Sequence, residues 1–555
     1  MPRLYYQTTS YKTTKLLTLS PFHPFTPSPL LINRVQSFMK FDVVIIGSGL
    51  GGLQCGYILS KHGLNVCVLE KNARAGGCIQ SFRRGTQTFD TGLHYVGGLD
   101  PGQPLHRFFN YFRLLNLPWL RMDENGFDEV ILHEKSYMFA NGYERFAETL
   151  SSQFPHQSEN LRRYSKFLQQ VSDTLFNSFI RENGDDLYEK TLFEQSAFSY
   201  LLSTIDDPLL RQVLSGASLK MELHPQTLPL YIFAQINSSF IQSAWRLKGG
   251  GSQIAETLIR HIEDYGGTVR LNAEVTRLVE EDGKIVAAEV TEKAKTGQTG
   301  ETGGDFAANG DIERIEADYF IADIHPALAL SLITESKVIR NIYRKRINSL
   351  ENTFGLFTVN IALKDNTLPY QNRNIYIYRT GDVWQYADYR PENVNTCALV
   401  SFQPPEDGSP CTANIDLLTP MYRQEVETWE KTSVGRRGDD YITYKNQKAE
   451  ACIRLISKYI PGLQDFDSPM DAMKHIYTGT SLTWRDYTGS AFGSAYGVRK
   501  NCEQLMKTIL SPRTPEPNLF LTGQNLNLHG VLGVSMTSFF TCAEIIGMNE
   551  TLKGL

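Results

Sequence analysis

At 555 residues the chain is too long for one compact core and suits two domains. A formal charge of −5 excludes the basic footprint of a nucleic-acid-binding protein. Eight scattered cysteines with no C-x-x-C pair point to reduced, mostly buried thiols; no metal site is expected, and no apolar run approaches the ~18 residues of a membrane span.

Residues 1–38 hold no Asp or Glu and are rich in Ser, Thr and Pro. They could compose an organellar transit peptide; the favoured reading is a disordered extension, with translation starting at Met39. The stretch that organises the rest is 41–98. Val43, Val44, Ile45 and Ile46 form an apolar β-branched run, the mark of a buried parallel strand. Gly47, Gly49 and Gly52 follow as G-x-G-x-x-G, with Leu50 and Gly51 opening a helix that Gly63 stops. A second buried strand from Val66 to Leu69 ends in Glu70, 18 positions after Gly52, close to the spacing of a ribose-binding carboxylate. Strand, glycine turn, helix, strand and acid together predict a dinucleotide site: free N–H groups and the dipole at the helix N-terminus favour a diphosphate, and Glu70 accepts from ribose hydroxyls.

Lys71, Arg74, Gly76 and Gly77 continue as E-K-x-x-R-x-G-G, which resembles the extended motif of FAD proteins of the glutathione-reductase and amine-oxidase type. The AGGC and FDTGLHYVGG segments that follow resemble the retinol saturase branch of the phytoene desaturase and carotenoid isomerase family. The resemblance implies an α/β fold in which a Rossmann-like FAD domain is interleaved with an α+β substrate domain. The expected partition is 39–115, 245–330 and 485–555 for the FAD domain and 116–244 and 331–484 for the substrate domain.

Further along, 105–121 carries apolar residues at 105, 108, 109, 112 and 115, a helical stripe. Core packing is one reading; its aromatics and arginines also suit a helix that touches a membrane surface. Residues 127–140 alternate like a hairpin, with Asn141-Gly142 as the turn. Residues 143–207 predict several helices, and the apolar, aromatic stretch 223–245 is a candidate wall of the substrate cavity. From Gly249 the pattern is helix (254–265), strands (268–271, 274–280), a turn at Asp282-Gly283 and a strand (285–290). This block resembles the second nucleotide-binding block of the same flavin superfamily, which places Val275 beside the adenine. The polar segment 294–310 predicts an exposed loop before a strand at 315–323. The β-rich stretch 354–418 predicts an antiparallel sheet, and 445–459 a helix. The C-terminal TGQNLNLHGVLGVSMTSFFTCAEII resembles the family's closing strand, loop and helix, which implies that Gly523 approaches the diphosphate and that Leu532, Gly533 and Val534 point N–H groups at the flavin.

No second G-x-G-x-x-G in strand context is present, so reducing equivalents must reach the flavin at the substrate face or from an external carrier, with NAD(P)H a candidate donor. The family acts on polyisoprenoids by desaturation, isomerisation or C=C saturation, and the nearest branch saturates. The implied substrate is an apolar polyene, drawn from a membrane surface by a cytoplasmic, peripherally associated enzyme. His94 and Tyr95, in the FDTGLHY stretch, are the candidate catalytic pair, as proton donor or as flavin contacts. Two other classes stay open at this level. One is a flavin amine oxidase, although the C-terminal block lacks a Cys suited to covalent flavin. The other is a prenyl-carrying escort protein that shares the fold without using flavin, which the intact glycines and Glu70 argue against.

Overall fold

The computed structural model describes residues 40–180, 192–292, 312–405 and 408–555, without the side chains of 175–180. The expectations for 1–38 and for the 294–310 loop therefore lie outside the described residues.

The β-branched runs form the sheet that the spacing predicts. Strand Lys40–Ile46 pairs in parallel with Val66–Leu69 on one side and Ile312–Ala322 on the other. Thr268–Arg270 extends the sheet beside Val66–Leu69, and Leu519–Leu521 pairs in parallel with Ile312–Ala322. Lys284–Glu292 and Ala273–Glu281 complete it as an antiparallel flap, joined by a tight turn at Asp282 and Gly283, both at positive φ. Successive residues face opposite sides, as the strand period requires. Val43, Ile45, Val66 and Val68 pack with the helices Leu50–Lys61, Ser252–Asp264 and Gly530–Ile546, whereas Val44, Ile46, Cys67 and Leu69 join the opposite core.

The second sheet runs in the order Met473–Gly479, Gly355–Leu363, Asn414–Met421, Cys397–Phe402, Asn374–Tyr378, Asp128–Leu132, Lys135–Phe139. The predicted antiparallel character holds except where Asn374–Tyr378 runs parallel to Asp128–Leu132, since a distant segment supplies that neighbour. The helix Asp439–Ser457 covers this sheet and begins six residues before the predicted start at 445. Among the described residues no helix is long and apolar enough to cross a membrane.

Two local expectations are corrected. The hairpin turns at His133 and Glu134, both at positive φ, which suits a two-residue turn. Asn141-Gly142 instead leads into the helix Tyr143–Gln153. The stripe at 105–121 folds as the helix Pro104–Tyr111 followed by the short strand Trp119–Arg121. Phe108, Phe109 and Phe112 are fully buried, with Phe112 against Tyr57 (5.3 Å between ring centroids) and Phe539 (5.8 Å). This stripe is core and is not the membrane-contacting face that its aromatics and arginines suggest: the apolar positions point inward and the arginines outward.

Candidate active site

A cavity of about 680 Å³ opens at the C-terminal ends of the parallel strands, where ligands of open α/β sheets bind. Its nucleotide end is lined by the turn after Lys40–Ile46, by Glu70 and Asn72, by Val275 and by Gly523. Its far end is lined by Leu356, Leu399 and Leu418 of the second sheet and by Ile236 and Phe240 of the helix Leu230–Gln242. The predicted cavity wall at 223–245 is thus in place.

The nucleotide end is built from backbone. A Cβ added to Gly51 would stand 3.1 Å from the backbone of Gly523, and one added to Gly77 would stand 3.3 Å from the Cα of Gly49. These glycines leave a trough beside the N-terminus of Leu50–Lys61, which carries no side-chain cap and no acid in its first turn. A helix N-terminus without a cap from its own N-cap residue, beside a trough walled by glycines and the Asp323 carboxyl, fits an anionic diphosphate. Gly52 does not line the cavity; its Cβ would meet the Gly47 carbonyl oxygen at 2.2 Å, so it serves the packing of helix on strand. Gly533 likewise packs on the backbone of Leu528, while Leu532 and Val534 line the cavity. Lys71 reaches the Asp486 carbonyl at 3.1 Å, and Gly76 donates its N–H to Ser48. The Arg74 side chain is exposed and does not line the cavity.

Glu70 lies in the cavity wall with its carboxylate held. One oxygen accepts from the Ser48 N–H (3.0 Å) and hydroxyl (2.7 Å), and the other from the Asn72 N–H and side-chain amide. The Ser48 hydroxyl is the donor free to rotate aside for a ribose hydroxyl. Asp323, which sequence reasoning did not nominate, ends the strand Ile312–Ala322 and accepts from the Gly52 N–H at 2.8 Å. Burial pushes its carboxyl up to about 7, so near neutral pH much of it carries no charge to oppose a diphosphate. An acid just past the C-terminal end of a parallel strand is the signal that could have found it.

His94 and Tyr95 both line the cavity and are buried. Neither ring nitrogen of His94 has a hydrogen-bond partner; Nδ1 stands 3.8 Å from Asp416 Oδ2, and burial pushes the imidazole down to about 4. Tyr95, in contrast, is engaged: its hydroxyl donates to Asp128 (2.8 Å) and is 2.6 Å from the Tyr376 hydroxyl. Lys220 joins this cluster at 3.3 Å from Asp128. Behind His94, Gln403 donates to Asp416 at 2.8 Å, and Asp90 accepts from the Gly251 N–H at 2.8 Å. Burial is the main cause that raises Asp90 to about 6 and Asp416 to about 7.

Those two carboxyls make stability depend on pH. Both are raised above the ordinary value of 3.8, so the folded protein keeps protons that the unfolded chain releases. Their contribution is full below pH ~4 and is lost as pH rises through ~6 and ~7. By themselves these two carboxyls should lower the stability by about 2 kcal/mol at pH 8 relative to pH 6 in chemical denaturation, with Asp323, raised to about 7, adding to the loss and the buried Lys500, lowered to about 7, opposing it. Asp416→Asn should shrink that difference; a difference unchanged in the variant would mean that Asp416 is ionised in the folded state.

A glycine-built dinucleotide trough at the edge of a parallel sheet, opening into an apolar chamber under a second sheet, defines an FAD-dependent oxidoreductase of the amine-oxidase fold type. The family model for flavin containing amine oxidoreductase matches residues 50–319. Across nearly its whole length the chain is similar to all-trans-retinol 13,14-reductases: 26% identical to that of Danio rerio over 96% of this chain and 92% of the relative, and 25% identical to that of Homo sapiens over 93% and 87%. Among solved structures, putrescine oxidase with bound putrescine superposes with a TM-score of 0.55 at 16% identity, covering 92% of this chain and 99% of the other.

Proposed function

We propose that this enzyme adds two hydrogens across a C=C bond of an apolar polyisoprenoid, with NAD(P)H as the source of electrons. The observation that carries the reading is the chamber itself, an aliphatic and aromatic space continuous with the flavin trough. The likeness to retinol 13,14-reductases supports the direction. A conjugated hydrocarbon chain is held by apolar area, at about 25 cal/mol per Å² removed from water.

When bound, FAD in its reduced form supplies the hydride. The chain's own residues hold the polyene, exclude water and deliver the proton to the second carbon. His94 is assigned to passing on that proton or to holding the flavin, because its imidazole faces the cavity with both nitrogens unengaged; pushed down to about 4 it is neutral near pH 7, so the proton must reach it from another group. Tyr95 is assigned to fixing the wall, because its hydroxyl is committed to Asp128 and Tyr376. The substrate would be taken from a membrane surface, with liposome binding that depends weakly on salt.

The test is anaerobic reduction of the purified yellow protein by NADPH, NADH and dithionite, followed by addition of retinol or a carotenoid. Return of the oxidised flavin spectrum, with a product two hydrogens heavier, is expected. Peroxide release on a small amine, with no response to polyenes, would replace this reading by amine oxidation.

A further inference from the structure

We propose that Lys220 donates the proton that reaches the second alkene carbon, from a position fixed by Asp128 where the flavin trough opens into the chamber. This rests on the reading of the cavity as a site of C=C reduction and adds to it the origin of the proton.

Lys220 stands in a mostly apolar wall. Its side chain is 9% exposed and lines the cavity beside Leu219, Ile236 and Phe240. Lysine is rarely buried without a partner, and here the partner is the fully buried Asp128, 3.3 Å from Nζ. Asp128 is itself fixed. Lys220 and Tyr95 (2.8 Å) reach Oδ2, and the Asn374 amide donates to Oδ1 at 3.2 Å. Tyr95 spends its one hydroxyl proton on Asp128, so the 2.6 Å contact with Tyr376 is a donation from Tyr376. Asn374 in turn accepts from Arg246 at 2.7 Å. Burial raises the Asp128 carboxyl, and Lys220, Tyr95 and Asn374 work against that rise by favouring the carboxylate. Burial pulls Lys220 below the ordinary lysine range, which makes its ammonium a stronger acid, while Asp128 keeps the proton on it.

An ammonium has three N–H groups, and Asp128 takes one. The others face rings. Nζ lies 4.2 Å from the centroid of Phe240, 5.5 Å from that of Tyr95 and 5.7 Å from that of Tyr376. Aromatic faces stabilise the positive charge without accepting the proton outright. The two histidines of this region are poorer sources, since burial pushes both His94 and His529 down to about 4 and leaves them neutral. The place also fits. The Lys220 carbonyl accepts from His529 Nε2 at 2.9 Å, and His529 immediately precedes the helix Gly530–Ile546, whose Leu532 and Val534 line the cavity. The backbone of Lys220 is thus tied to the flavin side and its side chain to the chamber wall.

With hydride delivered to one alkene carbon from reduced FAD, the π pair of the C=C bond forms the second C–H bond with the proton from Nζ. The N–H bond breaks and its electron pair stays on nitrogen as a neutral amine. The alkene is reduced by two electrons and FAD is oxidised. The amine regains its proton from water that refills the chamber when product leaves. His94 is then left to hold the flavin.

The experiment is anaerobic stopped-flow mixing of dithionite-reduced holoprotein with retinol or a carotenoid, followed by flavin absorbance. Lys220→Met should slow reoxidation by the polyene about a hundred-fold or more, with flavin content and reduction by dithionite unchanged. Lys220→Met with Asp128→Asn, which leaves no unpaired carboxylate, should be equally slow and guards against a folding defect in the single variant. In Lys220→Ala, added methylammonium should restore the rate at least ten-fold, whereas tetramethylammonium, of the same charge but with no proton to give, should not. Wild-type rates in Lys220→Met, no rescue by methylammonium, or equal rescue by both ions would overturn the assignment and leave the reduction reading in place. Failure of the wild-type protein to be reoxidised by any polyene would overturn both.

Discussion

Gly49→Trp should yield a folded protein without flavin. A Cβ at Gly49 would stand 2.5 Å from Asp323 Oδ2, and the indole beyond it would fill the trough that Gly49, Gly51, Gly77 and Gly523 leave open. The affinity for FAD should fall on the order of a hundred-fold or more, enough to lose the cofactor on purification. The fold should survive, because the obstruction points into the cavity and the first clash is with the end of a side chain. Gly52→Val makes the contrast. Its Cβ would meet a backbone oxygen at 2.2 Å, so that variant should fail to accumulate at all. Absorbance and circular dichroism of the purified proteins check both, and a yellow Gly49→Trp protein would mean that the trough does not hold the diphosphate.

Phe112→Asp should give no soluble protein. Phe112 is fully buried among Tyr57, Tyr111 and Phe539, where the first nucleotide helix meets the C-terminal helix. Losing a buried phenylalanine costs about 3–5 kcal/mol, and burying an unpaired carboxylate adds several more. The sum is comparable to the whole stability of a typical domain, about 5–15 kcal/mol. If the stripe at 105–121 were a membrane contact, the same variant would be soluble, yellow and impaired only in liposome binding. Recovery of such a protein would reverse the assignment of this stripe to the core.

The nucleotide half of the site was legible because its chemistry is local. The turn at Gly47–Gly52, the acid at Glu70 and the glycine pair at Gly76-Gly77 lie within about thirty residues, and each responds to a backbone requirement that only certain residue types meet. Arg74 is the exception. Nothing in the spacing tells which members of such a motif line the cavity, and the Arg74 side chain is exposed. The stripe at 105–121 shows the same limit: its period was real, but period alone does not say whether an apolar face meets protein or lipid.

The substrate half could not be read in that way. Tyr95, Asp128, Lys220 and Tyr376 come from four separate segments, and His94 meets Asp416 across more than three hundred residues. Lys220 sits in a stretch whose composition is that of ordinary core. The sequence by itself determined the parallel sheet, the dinucleotide trough and the class of cofactor, because those follow from β-branched runs and from glycines at fixed offsets. Only the tertiary structure decided that Phe112 is core, that His94 is unengaged while Tyr95 is tied down, and that Asp128 holds Lys220 in the chamber wall. The physical reason is that burial and hydrogen-bond satisfaction are set by what distant strands and helices bring alongside a residue, and no local pattern encodes that.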